Sequence, residues 1–188
     1  MRWGVFLVVA LVAAACDTSL TALLSIGTIV PQLMPLVAVF VALAAPRTTV
    51  LWACLFMGLV VDLCSPAFDA QLRPLHLAGP HALGYLFAAN LVLPLRTMVL
   101  KRNPLTLGAL TAIFSMAASL VVVALWSVRT WYPDPPVVFG GDSALTELGR
   151  AGLRALYSGA IAVPIGWFLV RTAPLWGFSP SGQRGARW

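Results

Sequence analysis

Asp17 and Asp62 invite a chemical reading first, because each carboxylate falls inside an apolar run of the chain. Near the centre of a bilayer an acid costs about 2.5–3.5 kcal/mol on insertion scales, so it turns toward protein or water and finds a partner. Two carboxylates sharing a proton would make an aspartyl protease dyad. The local contexts, Cys16-Asp17-Thr18 and Val61-Asp62-Leu63, lack the Gly, Tyr or Asn companions that intramembrane aspartyl enzymes carry. Other catalytic sets find no more support. There is no G-x-S-x-G elbow, and His81 has no Ser partner in the sequence. His76 and His81, separated across Gly79-Pro80, are too few for a metal site, and no glycine loop suited to phosphate is present. Cys16, Cys54 and Cys64 lie inside or at the ends of apolar runs with no C-x-x-C pair, which reads as packing rather than redox chemistry. The expectation is a protein without catalysis, cofactor or metal.

The elements that must hold these acids are membrane helices. Of 188 residues, 60% are hydrophobic and 10% charged, with a mean hydropathy of +0.92, whereas a soluble domain carries about 25% charged residues. That leaves too little polar surface to keep the chain dissolved, and a length sufficient for one small bundle of spans. The net charge of +6 does not gather into a basic tract; Lys and Arg punctuate the apolar runs, so nucleic acid is not an expected partner. Met1-Arg2-Trp3 opens an apolar pattern that resumes after Cys16 through Val30, which fits an uncleaved first span better than a lipoprotein signal at Ala13-Ala14-Ala15-Cys16.

Crossing about 30 Å of hydrocarbon takes about 20 residues of helix, and six runs qualify: 4–26, 31–46, 48–65, 78–95, 105–128 and 153–170. The second is short, opened by Pro31-Gln32-Leu33-Met34-Pro35 and closed by Pro46-Arg47. Basic residues collect on the cytoplasmic side of membrane proteins. With both termini inside, the inner segments hold Arg2, Arg47, Arg96, Lys101, Arg102, Arg171, Arg184 and Arg187 with no acid. The outer segments balance Arg73, Arg129, Arg150 and Arg154 against Asp69, Asp134, Asp142 and Glu147. The expected protein is therefore an all-α, multi-pass membrane protein with six transmembrane helices, N-in and C-in. It forms one domain over 1–174 with an outer loop at about 129–152, and a short, basic, disordered cytoplasmic tail at 175–188.

Finer features follow from the same pass. Trp3, Trp52, Trp126, Trp131, Trp167 and Trp176 fall near span ends, where headgroups favour tryptophan. Small residues spaced by four, Gly84 and Ala88, Gly108 and Ala112, and Ser158, Ala162 and Gly166, permit close helix packing within the chain. Ser143 to Leu148 is expected to open a short interfacial helix ahead of the sixth span, with Ser143 as cap and Glu147 in register behind it. Asp17 and Asp62 each follow an inner end, at Trp3 and Thr48, by 14 residues, which sets both about 21 Å toward the outer side. His81 and Arg154, at the outer starts of their spans, reach a similar level. Two readings stay open: a shared outward-facing polar cluster of Asp17, Asp62, His81 and Arg154, or acids that each cap or anchor their own helix near the interface.

Gly58-Leu59-Val60-Val61-Asp62-Leu63, followed after a loop by Gly79-Pro80-His81-Ala82-Leu83-Gly84-Tyr85-Leu86, resembles the signature of the rod shape-determining protein MreD family: G-L-x-x-D, a glycine-containing turn, then G-x-x-A-L opening a helix. The motif positions are Gly58, Asp62, Gly79, His81, Ala82 and Leu83. The short run between Pro31 and Pro46 resembles that family's second span, and size and span number agree. The insert Phe68-Asp69-Ala70-Gln71-Leu72-Arg73-Pro74 and the long loop from Arg129 to Gly152 depart from the pattern. The resemblance implies a non-enzymatic subunit of the bacterial elongation machinery that binds MreC directly, and MreB, RodA and a class B penicillin-binding protein through the complex. It also implies a fold similar to the substrate-binding subunits of energy-coupling-factor vitamin transporters. That supplies an alternative function, a vitamin binder with a polar pocket at the level of Asp17, Asp62 and His81.

Overall fold

The computed structural model of the chain describes residues 1–19, 23–27, 29–65, 67–68, 74–75, 78–96, 103–129, 131 and 143–177. Among them are six α-helices: α1 (Trp3–Ser19), α2 (Met34–Ala44), α3 (Arg47–Cys64), α4 (Pro80–Leu95), α5 (Pro104–Arg129) and α6 (Ala144–Thr172). A two-residue antiparallel pair, Ala67–Phe68 with Pro74–Leu75, lies between α3 and α4, and a 3-10 turn, Ala173–Trp176, follows α6. Three of the helices, α3, α5 and α6 with its 3-10 extension, are long and apolar enough to cross a membrane; α1, α2 and α4 are apolar but shorter. His76, Lys101, Arg102, Arg73, Asp69, Asp134, Asp142, Arg184 and Arg187 lie outside the described residues, as do most of the expected outer loop and the tail from 178.

Proline marks the helix starts. Pro35, Pro80 and Pro104 sit in the first turns of α2, α4 and α5, where the missing N–H has no intrahelical partner to lose and the ring presets a helical φ. The first helix is shorter than the expected 4–26. It runs to Ser19, where the Thr18 and Ser19 hydroxyls both donate to the Ala15 carbonyl at 3.0 and 2.6 Å, and farther on Gly27, at φ +63°, reverses the chain so that Ile26 and Ile29 bond each other. The sixth helix is longer than expected. The interfacial turn at Ser143 is continuous with the span, as one 29-residue helix. Ser143 is its cap, accepting from the Thr146 amide at 3.3 Å. Thr146, not Glu147, occupies the capping-box position, and Glu147 instead reaches forward to Arg150 and Arg154 at 3.7 and 3.6 Å.

At the centre stands α2. Its eleven residues are apolar all round, which suits a helix surrounded by protein or by lipid, and here protein surrounds it. Met34 through Leu43 are all buried, and α1, α3, α4, α5 and α6 all pack against it. At about 16 Å it is roughly half the thickness of a bilayer's hydrocarbon. Around it the longer helices approach closely through small residues. A Cβ on Gly84 would stand 2.8 Å from the Ala118 carbonyl of α5, one on Gly108 would stand 2.7 Å from the Gly159 carbonyl of α6, and one on Gly166 would collide with Leu107. The C-terminal end of α1 meets the start of α2, that of α3 meets the start of α4, and the Arg2 amide bonds the Trp176 carbonyl at 2.8 Å, drawing the two ends of the helical domain together.

Trp176 corrects the headgroup reading made from its position. It is 1% exposed, set edge-on against Phe40 of α2 with ring centres 5.0 Å apart, and its indole N–H reaches Thr172 Oγ1 at 3.3 Å. The core thus extends past residue 174. Trp3, Trp52, Trp131 and Trp167 do lie on the outside of the bundle, and Arg171 stacks on the Trp167 ring at 3.6 Å.

Candidate functional site: two carboxylates at helix starts

The first turn of a helix leaves backbone N–H groups without partners, and a side chain at the cap normally accepts from them. Neither α2 nor α4 has such a side chain. The cap of α2 is Leu33 and that of α4 is Gly79, and neither makes a side-chain capping bond. The preceding helix supplies the acceptor in both cases. Asp62, near the end of α3, takes the amides of Gly79 at 2.8 Å, His81 at 3.0 Å and Ala82 at 3.2 Å, together with His81 Nδ1 at 2.8 Å. Asp17, near the end of α1, takes the amides of Leu33 at 2.6 Å and Met34 at 3.0 Å. A carboxylate at this place also faces the positive end of the helix dipole. Each acid therefore caps the helix that follows its own.

Every motif position but one converges on the Asp62 junction. Gly58 is one turn before Asp62 on the same face of α3, and a Cβ there would collide with the Ala82 backbone and stand 2.7 Å from the His81 carbonyl. Only glycine lets the first turn of α4 come near enough for Asp62 to reach its amides. Gly79 adopts φ +138°, a conformation L side chains avoid, and turns the chain into α4 just ahead of Pro80. Ala82 is buried in the contact, whereas Leu83 points out of the bundle. Asp62 is 3% exposed; His81 is partly open.

No family model, no curated protein and no solved structure matches the chain.

Asp17 serves a different setting. It borders a cavity of about 160 Å³ together with Thr18, Gln32, Tyr85 and Arg154. The chain entering α2 is anchored across this region: the Gln32 amide donates to Ser158 Oγ at 2.9 Å, and Tyr157 Oη donates to the Leu24 carbonyl at 2.8 Å. Of the four residues expected at one level, Asp62 and His81 are bonded to each other, while Asp17 and Arg154 line the same cavity without Asp62 or His81. Arg154 is also paired with Glu147. Among the described residues no group of three or more His, Cys, Asp or Glu is placed to hold a metal ion.

Sequence reasoning missed Tyr85, Gln32 and Ser158. Tyr85 was visible one turn after His81, on the face that carries the Asp62 contact. The pairing of each acid with the next proline-marked helix start, 16 to 20 residues on, was a second available signal.

Proposed function

We propose that this chain is a non-enzymatic, multi-pass subunit of the bacterial cell-elongation complex in the inner membrane, of the MreD type. It binds MreC and helps to scaffold peptidoglycan synthesis with MreB, RodA and a class B penicillin-binding protein. The observation that carries the reading is the convergence of Gly58, Asp62, Gly79, His81 and Ala82 on a single interlocked junction. These are residues on which the family resemblance rests, and their joint role is structural: they set the α3–α4 geometry and contribute no reacting group.

The reading includes six membrane-embedded helices with both termini inside, α2 being shielded from lipid by the other five. Charge placement supports it. Arg2, Arg47, Arg96 and Arg171 lie toward one end of the bundle with no described acid beside them, whereas Arg129, Arg150 and Arg154 share the other end with Asp17, Asp62 and Glu147. Pull-down from native membranes tests the assignment: MreC is the expected co-purifying partner, and its absence from a stable, folded preparation overturns the proposal.

A second reading is favoured by one observation, the cavity edged by Asp17, Tyr85 and Arg154. An acid, a phenol and a guanidinium around one hollow suit a small polar ligand, as in a vitamin-binding transporter subunit. Mass spectrometry of the purified protein discriminates, since a co-purified vitamin would replace the first reading with this one.

A further inference from the structure

At the end of the bundle opposite the two carboxylates, Arg47 and Arg96 border a cavity of about 440 Å³ with Asn90, Leu93 and Pro94. The two guanidinium groups arrive from different elements. Arg47 opens α3, and its Nη2 donates to Asn90 Oδ1 at 3.4 Å; Arg96 follows α4, and its Nη1 donates to the Ala45 carbonyl at the end of α2 at 3.0 Å. A guanidinium carries five N–H donors in a planar fork, so each retains several for a further acceptor. No carboxylate pairs with either one among the described residues. Two cationic forks around one hollow suit an oxyanion with several acceptor oxygens, and a phosphate presents such an array.

What adjoins the hollow narrows the ligand further. Leu83, Phe87 and Leu91 recur every fourth residue along α4, on one face, and all three point out of the bundle. This apolar track covers about 12 Å of helix and ends beside Asn90 at the cavity. A charged hollow at the head of an outward apolar track matches a molecule with an anionic head and a hydrocarbon tail. We infer that Arg47 and Arg96 form a binding site for the phosphate headgroup of an anionic phospholipid, whose acyl chain lies along Leu91, Phe87 and Leu83. The site rests on the bundle lying in a bilayer and is independent of any protein partner.

Native mass spectrometry of the isolated chain, offered equal amounts of phosphatidylglycerol and phosphatidylcholine, tests this. The wild-type protein should retain phosphatidylglycerol preferentially. At about 1 kcal/mol per cationic side chain near a lipid surface, Arg47→Gln should weaken that preference about fivefold and Arg47→Gln/Arg96→Gln about 25-fold. Arg171→Gln, which removes a cation stacked on Trp167 rather than one at the cavity, should leave it unchanged. Arg47→Gln alone keeps the Arg96–Ala45 bond, so the test stays readable if the double variant does not fold. Equal retention of the two lipids, a double variant that binds like wild type, or an equal loss in Arg171→Gln overturns the site. Displacement of the lipid by glycerol phosphate at matching concentration overturns the lipid as its ligand. Because MreC is absent from the assay, failure here leaves the proposed assembly role standing.

Discussion

At the α3–α4 junction a nearly inaccessible carboxylate accepts three backbone N–H groups and an imidazole nitrogen, with a glycine beneath it that admits no side chain. At the α1–α2 junction a half-buried carboxylate caps the next helix through the Leu33 and Met34 amides and edges a cavity. The same device, an acid from one helix capping the next, is thus built twice at different tightness. In the Asp62 copy the carboxylate is engaged by the first turn of α4, and Gly58 beneath that turn leaves no space for a side chain. In the Asp17 copy the walls stand apart, and a phenol and a guanidinium share the opening. Closeness makes the first a structural joint; openness makes the second the place where a ligand or a partner side chain has space to enter.

The comparison yields a ranking of substitutions, each read by thermal unfolding of the purified protein in detergent. Asp62→Ala should cost most, about 3–5 kcal/mol, because it strands several buried donors at once. Gly58→Val should follow at about 2–3 kcal/mol, since its branched side chain meets α4 backbone that cannot step aside. Asp17→Ala should cost about 1–2 kcal/mol, the ordinary loss of a helix cap. Arg154→Gln should change stability by less than about 0.5 kcal/mol, its pair with Glu147 being long and partly solvated. If Asp17→Ala proves as damaging as Asp62→Ala, the distinction between a closed and an open joint fails. If Gly58→Val is harmless while Asp62→Ala is severe, the cap survives but its dependence on close helix approach does not.

The Asp62 joint was more legible in the sequence than the Asp17 site. Gly58 and Asp62 are one helical turn apart, and Gly79-Pro80 announces a turn into a helix, so local spacing displays both halves of the contact. The Asp17 site draws Gln32, Tyr85 and Arg154 from three separate stretches, and no periodicity links them. The depth argument put all four expected residues at one level, but depth along a helix says nothing of azimuth. Whether two residues at one height touch is set by which face each helix turns inward.

Composition and apolar run length by themselves determined that the chain is a set of apolar helices, and Pro31, Pro35 and Pro46 marked the second of them as short, because hydrophobic length and a fixed φ are local properties. Tertiary structure alone decided that α2 is the central post and that Trp176 closes the core against Phe40 rather than resting at a headgroup layer. It also decided that each acid serves the helix after its own. Those outcomes depend on the donors, acceptors and apolar surfaces that distant segments leave unmatched, and such mismatches are cancelled only when the helices come together.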